Sequence, residues 1–395
     1  MINRTLFTYL QRDAKYYPIL TLTGPRQSGK STLAKAAFPQ HSYVSLEDLD
    51  LRLFAQEDPR GFLNQYSAGV IIDEIQRVPS LFSYLQSIVD TQNLLGRYVL
   101  TGSQNFLLME QVSQTLAGRT AVAHLLPFER AELQQRVRQY QVTASNLFEK
   151  NTQPDDPWQH LFTGFYPPIH DRAIPPDLWL PDYIRTYIER DVRTLTNIGD
   201  LNAFSRFLSL MAGRTGQLLN YSALANECGI AVDTAKRWTS LLVTSFIIFL
   251  LPPYHRNFNK RIIKSPKVYF YDPGLVCQLL GIKSPEQARL HPQRGALFEN
   301  LVISECIKTY THQRIKPQMY FWRDQTGHEI DLIVEDPSLF AFEIKSGQTL
   351  TSDMFSTLDW WTNHTGLPPD QCTLVYAGDQ FSSRKGYRVR PWYGM

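Results

Sequence analysis

The chain has 395 residues, 43% hydrophobic and 19% charged, which is enough apolar material for two or three domains with sizeable cores and excludes a disordered chain. Its net charge of +3 is too small to imply a nucleic-acid partner by itself, so any basic surface has to be local. Cys228, Cys277, Cys306 and Cys372 have no paired spacing, which excludes a zinc site and a disulfide framework and fits a reducing, cytoplasmic compartment.

In chain order, the opening MINRTLFTYLQRDAKYYPIL lacks the apolar core and small-residue cleavage site of a targeting segment. From Tyr17 to Pro127, short apolar runs alternate with amphipathic segments. That is the pattern of an α/β unit, a parallel sheet covered by helices. The expected strands are YPILTLT, YVSL, GVIID, RYVLTGS and TAVAHLLP.

Between the first strand and the helix-forming STLAKAAF lies Gly24-Pro25-Arg26-Gln27-Ser28-Gly29-Lys30-Ser31, which satisfies the G-x-x-x-x-G-K-[ST] pattern in the required strand–loop–helix context. Glycines let backbone N–H groups turn inward on phosphates, Lys30 reaches the β/γ oxygens and Ser31 can ligate magnesium. Gly24 to Thr32 are therefore the candidate ATP contacts. GVII leads into Asp73 and Glu74, where Asp73 would hold magnesium and Glu74 would act as general base toward the attacking water. An acidic pair ending a strand is ordinarily a solvated turn; the phosphate loop upstream reverses that reading. RYVLTGSQN places Thr101, Ser103 and Asn105 at the next strand end, where Ser103 can orient the water or simply close a turn. Arg119 in LAGRT is a candidate to touch the γ-phosphate, in cis or in a neighbouring subunit.

The ordered segments GPRQSGKST, LEDLDLRLFAQEDPRGFL, VIIDEIQRVPSLF, YVLTGSQNFLL and LAGRT resemble a prokaryotic group of AAA+-type ATPases that carries an uncharacterised C-terminal domain. The similarity continues through DYIRTYIERDV to nearly the whole chain. It implies an ATPase core with a parallel sheet of order 5-1-4-3-2 and supplies no substrate.

After Phe128 the α/β rhythm stops, and NTQPDDPW reads as a linker or surface loop. LLNYSALANECGIAVDTAKRWTSLLVTSFIIFLLPPY has the form of a helix, a turn at Gly229 and a second helix capped by Asp233 or Thr234. An apolar strand and the basic HRNFNKRIIKSPKVYFYD follow, the shape of a winged helix-turn-helix. In that unit Lys236 and Arg237 would face the major groove of DNA, and Arg256, Lys260, Arg261 and Lys264 would meet phosphates. The plainer alternative is that Lys236 and Arg237 form the solvated face of an amphipathic helix. Leu241 to Leu251 is too short to span a bilayer, so no membrane partner is expected.

The C-terminal GHEIDLIVEDPSLFAFEIKSGQTL places Asp331 twelve residues before Glu343, with Lys345 two residues on. Strand alternation points Glu343 and Lys345 to one face and Ile344 to the other, and an antiparallel hairpin turning near Asp336-Pro337 would set Asp331 beside them. This is the arrangement of PD-(D/E)xK nucleases, in which carboxylates bind Mg²⁺ next to a lysine. Glu299, one helix upstream, is the candidate for an additional acidic ligand. The segment resembles the restriction-endonuclease-like domain that closes this ATPase group.

The expectation is a three-part chain: a P-loop AAA+-type ATPase over 1–130, a helical and winged-helix region over 131–290, and a PD-(D/E)xK nuclease-like α/β domain over 291–395. The corresponding function is an ATP- and Mg²⁺-dependent DNA-processing enzyme that can form homo-oligomers. The rival is a nucleotide-switched regulatory or protein-remodelling ATPase whose nuclease-like domain does not cut.

Overall fold

The computed structural model describes residues 2–92, 94–102, 105–136, 138, 140–150, 152–188, 200–254 and 265–395. Five strands, β1 (Ile19–Thr23), β2 (Ser42–Ser45), β3 (Val70–Asp73), β4 (Tyr98–Thr101) and β5 (Thr120–His124), form one sheet in the order β2-β3-β4-β1-β5 with every pairing parallel. Read from the other edge this is 5-1-4-3-2, the order the resemblance implies.

Helices cover both faces, so β1 is buried along its whole length and needs no polar alternation. Alternation instead decides which face each side chain serves. Leu20, Leu22, Ile71, Val99, Ala121 and Ala123 pack with helices α1 (Leu6–Asp13) and α2 (Lys30–Ala37). Ile19, Val70, Ile72, Tyr98 and Leu100 pack with α3 (Leu49–Glu57), α4 (Pro59–Asn64), α5 (Ser80–Thr91) and α6 (Asn105–Thr115). Because the strands run one way, their C-terminal ends share an edge, with Thr23 opposite His124 and Leu22 opposite Thr101.

A short helix, α7 (Arg130–Leu133), leads into a helical region of α8 (Pro157–Thr163), α9 (Pro167–Asp171), α10 (Pro176–Tyr183) and α11 (Leu201–Ala212). Helix α12 (Tyr221–Cys228) ends at Gly229, whose φ of 69° is the left-handed conformation glycine favours. Helix α13 (Val232–Thr244) follows, then the antiparallel pair β6 (Ile248–Leu251) and β7 (Lys267–Phe270). The helix–turn–helix and two-stranded pair thus occur in the expected order, but the expected cap is corrected. Ala231 occupies the N-cap without a side-chain bond, and Asp233 lies inside the first turn, where it pairs with Lys236 at 3.2 Å.

Helices α14 (Pro273–Leu279) and α15 (Pro285–Leu290) precede the long α16 (Arg294–His312). A six-stranded sheet ends the chain: β8 (Met319–Arg323), β9 (Glu329–Asp336), β10 (Ser338–Lys345), β11 (Cys372–Tyr376), β12 (Ser382–Arg384) and β13 (Tyr387–Pro391), ordered β12-β13-β11-β10-β9-β8. One face of this sheet packs Ile333, Ala341 and Leu374 with Leu358 and Trp361 of α17 (Ser356–Thr365). The other places Leu332, Val334, Phe342 and Ile344 in a core with Leu301 and Val302 of α16, and that core continues into the helical region through Phe207 and Trp238. Side chains from both sides of residue 290 therefore bury one another. No helix among the described residues is long and apolar enough to cross a membrane.

Candidate functional site

The phosphate-binding loop sits at the shared C-terminal edge of the first sheet. Gly24 is required where it stands, because a Cβ there would lie 2.1 Å from the Leu125 carbonyl oxygen at a φ of +148°. Gln27 (φ 63°) and Gly29 (φ 92°) turn the chain through left-handed conformations, and α2 starts at Lys30 with Gly29 at its N-cap and no side-chain cap. The first-turn N–H groups of α2 thus lack the side-chain acceptor that usually serves them, the condition under which a helix start receives phosphate. The Ser28 hydroxyl is buried without a hydrogen-bond partner, and the Ser28 carbonyl accepts from the Arg4 guanidinium at 2.9 Å. Tyr183 holds the loop from another side, its hydroxyl donating to the Arg26 carbonyl at 3.2 Å.

Lys30 is buried and folded back on the loop, its ammonium donating to the carbonyls of Gly24 (3.0 Å) and Pro25 (2.8 Å). Burial pulls its pKa down to about 8; the Glu74 and Asp73 charges oppose the fall and Arg26 adds to it. Asp73 is the hub: Oδ2 accepts from Ser31 at 2.8 Å and from Tyr43 at 2.7 Å, and Oδ1 accepts from Thr101. Glu74 sits in a left-handed conformation (φ 54°, ψ 41°), a backbone state that costs a non-glycine residue about 1–3 kcal/mol and collects at functional sites. Its carboxylate takes a hydrogen bond from Gln76 at 2.5 Å. A cavity of about 280 Å³ opens over Arg26, Gln27, Lys30, Ser31, Thr32, Asp73 and Glu74. The Ser31–Asp73 oxygen pair and the orphaned Ser28 hydroxyl fit Mg²⁺ and a nucleotide in donor chemistry.

Arg119 precedes β5, whose first residue pairs with the first residue of β1, so it lies at the opposite edge of the sheet from the phosphate loop. Its guanidinium grips Asp90 of α5 through Nε (2.5 Å) and Nη2 (2.9 Å). Contact with the γ-phosphate in cis is thereby excluded. Ser103 lies outside the described residues. Tyr43, Glu47 and Arg4 also serve this site and carried no sequence signal; Glu47 lines the cavity.

Of the candidate DNA contacts, Lys236 and Arg237 are both exposed on α13, opposite the buried Ala235, Trp238, Thr239 and Leu242. Lys260 and Arg261, with Arg256 and Lys264, lie outside the described residues.

In the C-terminal sheet, β9 and β10 pair antiparallel with Leu332 opposite Phe342, which brings Asp331 beside Glu343. Asp331 Oδ2 accepts the Ile344 N–H at 2.8 Å. Glu343 Oε1 takes the Lys345 ammonium at 2.5 Å, while Oε2 is sealed from solvent and makes no hydrogen bond of ordinary geometry, with Thr357 among the groups that lower its pKa. Glu299 arrives from α16 as expected. Its Oε1 accepts from Lys267 at 2.9 Å and from the Tyr269 hydroxyl. Glu329 joins through the same Lys267 ammonium, and Glu299, Glu329 and Asp331 offer oxygens that all lie within 4.8 Å of one another.

Burial, then the Glu343 and Glu299 charges, push Asp331 well above the usual carboxylate range against the pull of Lys267 and Lys345. Burial raises Glu343 as well, with Lys345 opposing. Burial alone would lower the two lysines, but the carboxylates outweigh it and hold both ammonium groups above the usual lysine value. The oxygen donors suit a divalent cation, yet a protein cation already sits between two of them. Glu329 was detectable in principle, two residues before Asp331 on the same strand face; nothing local in KVYF marks Lys267.

Residues 16–134 match the AAA domain family, and residues 154–286 and 294–393 match two domains of unknown function (DUF8612 and DUF4143). The chain is 30% identical over 378 residues to the uncharacterized protein Rv2008c of Mycobacterium tuberculosis, covering 94% of this chain and 79% of the relative. The uncharacterized protein Mb2031c of Mycobacterium bovis matches with the same values. Among solved structures, the Walker-type ATPase PABY2304 of Pyrococcus abyssi aligns with 71% of this chain and 96% of its own at 15% identity and a TM-score of 0.42.

Proposed function

We propose an ATP-driven role in DNA processing for this chain, which belongs to the family of the two mycobacterial proteins and carries a P-loop ATPase domain of the AAA type. For hydrolysis, Lys30 would leave the Gly24 and Pro25 carbonyls and pair with the β/γ-phosphate oxygens. Glu74 would take a proton from a water whose oxygen bonds to the γ-phosphorus, while the bond to the β-phosphate oxygen breaks and ADP leaves with that electron pair. Mg²⁺, held through Ser31 and Asp73, would neutralise phosphate charge. Arg119, at the far edge of the sheet, would leave Asp90 to complete a neighbour's site in a head-to-tail assembly. A mass measurement with and without nucleotide tests that assembly.

The observation that carries the DNA-processing half is the convergence of Asp331, Glu343 and Lys345 with Glu299, a donor set suited to metal-assisted phosphodiester hydrolysis. Lys236 and Arg237 on the exposed face of α13 support a contact with DNA phosphates or bases. The test is incubation with single-stranded, duplex and branched DNA, with Mg²⁺ or Mn²⁺, with and without ATP. Cleavage that Lys345→Ala abolishes is the expected result. An ATPase-competent preparation that leaves every DNA intact and binds it equally well as Lys345→Ala would refute the nuclease reading.

A second reading, a nucleotide-switched DNA binder whose C-terminal domain does not cut, is favoured by one observation: the Lys267 ammonium between Glu299 and Glu329. ATPase activity indifferent to every nucleic acid would instead favour a protein-remodelling role.

A further inference from the structure

We propose that Lys267 is an in-chain competitor for the C-terminal metal site: its ammonium and a divalent cation are mutually exclusive occupants of the cluster formed by Glu299, Glu329 and Asp331. The inference rests on the metal-dependent reading above and concerns how that site is controlled.

Lys267 opens β7, a strand buried at all four positions, and its side chain is 2% exposed. A lysine is almost never so deeply buried unless paired, and this one is paired twice, with Glu299 Oε1 at 2.9 Å and with Glu329 Oε1. Tyr269, two residues on and therefore on the same face of the strand, donates its hydroxyl to the same Glu299 oxygen. One strand of the middle region thus supplies a cation and a hydroxyl to carboxylates that come from α16 and β9.

Geometry makes the two occupants exclusive. A divalent ion shared by Glu299, Glu329 and Asp331 would sit about 2.0–2.6 Å from each oxygen, in the space the ammonium bonds across. Two cations on one Glu299 oxygen would be within a few ångströms of each other, with little water to screen them. The second lysine, Lys345, is itself engaged by Glu343 at 2.5 Å. Glu343 Oε2 is buried and without an ordinary hydrogen bond, and the Glu343 charge acts on Asp331. By linkage, whatever draws β7 away from the cluster raises metal affinity, and metal binding favours that withdrawal equally.

The test is Mn²⁺ binding to the nucleotide-free full chain, followed by the paramagnetic signal of free Mn²⁺. Asp73→Asn is present throughout to silence the nucleotide site. Lys267→Met and Lys267→Gln should bind Mn²⁺ at least tenfold more tightly than the parent, and adding Asp331→Asn should abolish the gain. If the parent already binds Mn²⁺ through Asp331 as tightly as the Lys267 variants, the competition is refuted while the metal site stands. If folded Lys267 variants bind none, the metal site itself is refuted and the competition with it. A measurement on the unsubstituted lysine does not depend on the variants folding: amine acylation read by mass spectrometry should modify Lys267 only when Mn²⁺ is bound. Mn²⁺ bound through Asp331 with Lys267 still protected would overturn the proposal.

Discussion

Lys30 gives the nucleotide site a pH signature with two opposite signs. In the free protein its ammonium is buried against the Gly24 and Pro25 carbonyls, and burial holds its pKa at about 8. A triphosphate needs the charged form, so above pH 8 binding has to recruit a proton. Affinity then falls by up to about tenfold per pH unit, or about fifteenfold from pH 8 to 9.5. The stability of the nucleotide-free protein moves the other way. The unfolded lysine titrates near 10.5, so between pH 8 and 10.5 the unfolded chain binds the extra proton, and stability rises by up to about 1.4 kcal/mol per pH unit. Titration of a fluorescent, non-hydrolysable ATP analogue with Mg²⁺ across pH 7 to 9.5 measures the first slope, and urea unfolding measures the second. Lys30→Met should lower affinity at pH 7 and remove both slopes. A flat wild-type affinity profile, or a slope that persists in Lys30→Met, would show that the ammonium is not the titrating group.

Three further outcomes test the frame around this site. Gly24→Ala should cost about 1–3 kcal/mol of stability by urea unfolding and abolish ATP turnover, since the new Cβ lands 2.1 Å from the Leu125 carbonyl; native stability with native turnover would contradict the close approach. Arg4→Ala should destabilise the chain by about 3 kcal/mol, the cost of removing one partner of a buried ion pair, because Arg4 reaches Glu132 at 3.1 Å and the Leu126 carbonyl at 2.6 Å; a loss below about 1 kcal/mol would refute that role. His124 is half-buried, and its desolvation, then the Arg314 charge, pull its pKa down to about 4. The unfolded chain therefore takes up a proton from pH 6.5 downward that the native state refuses until about pH 4, and stability falls as pH falls through this window by up to about 1.4 kcal/mol per unit. His124→Phe should flatten that part of the acid limb in a pH series of melts.

The first sheet was legible because strands of a doubly covered parallel sheet are near-continuous apolar runs that stop where turn chemistry begins. Val70 to Ile72 ending at Asp73 is one such case. The phosphate loop and the Asp331, Glu343, Lys345 set were legible for a similar reason: each lies within one loop or one hairpin, where spacing dictates geometry. What spacing cannot carry is a partner from elsewhere in the chain. Tyr43 reaches Asp73 from β2, Arg4 reaches Ser28 from before α1, and Lys267 reaches Glu299 across the helical region. Arg119 shows the complementary limit. The residue type was right for a phosphate contact, but which edge of the sheet it occupies depends on strand direction, and that edge faces away from its own loop.

The same long-range contacts connect the two chemical sites. Helix α16 carries Glu299 near its start, and its other end enters a buried polar network below the phosphate loop. There Glu305 accepts the Arg130 N–H at 2.8 Å, Lys308 donates to the Phe128 carbonyl at 3.1 Å, and Thr309 donates to Glu129 at 3.0 Å. His312 Nε2 accepts the Leu126 N–H at 3.1 Å, so the ring donates to Glu129 through Nδ1 at 2.6 Å. Glu129 in turn meets Glu132 through a capping box, Glu132 meets Arg4, and Arg4 meets the phosphate loop at Ser28. Breaking any one member strands a buried charge or carbonyl, which costs more than the intact bond contributes. The low-cost way to move the loop is therefore to move the network and α16 together. Arg4→Ala discriminates this: a coupled network predicts that ATP alters the Mn²⁺ affinity of the Lys267→Gln chain only while Arg4 is present. An ATP effect of equal size in Arg4→Ala would mean that the two sites communicate by another route.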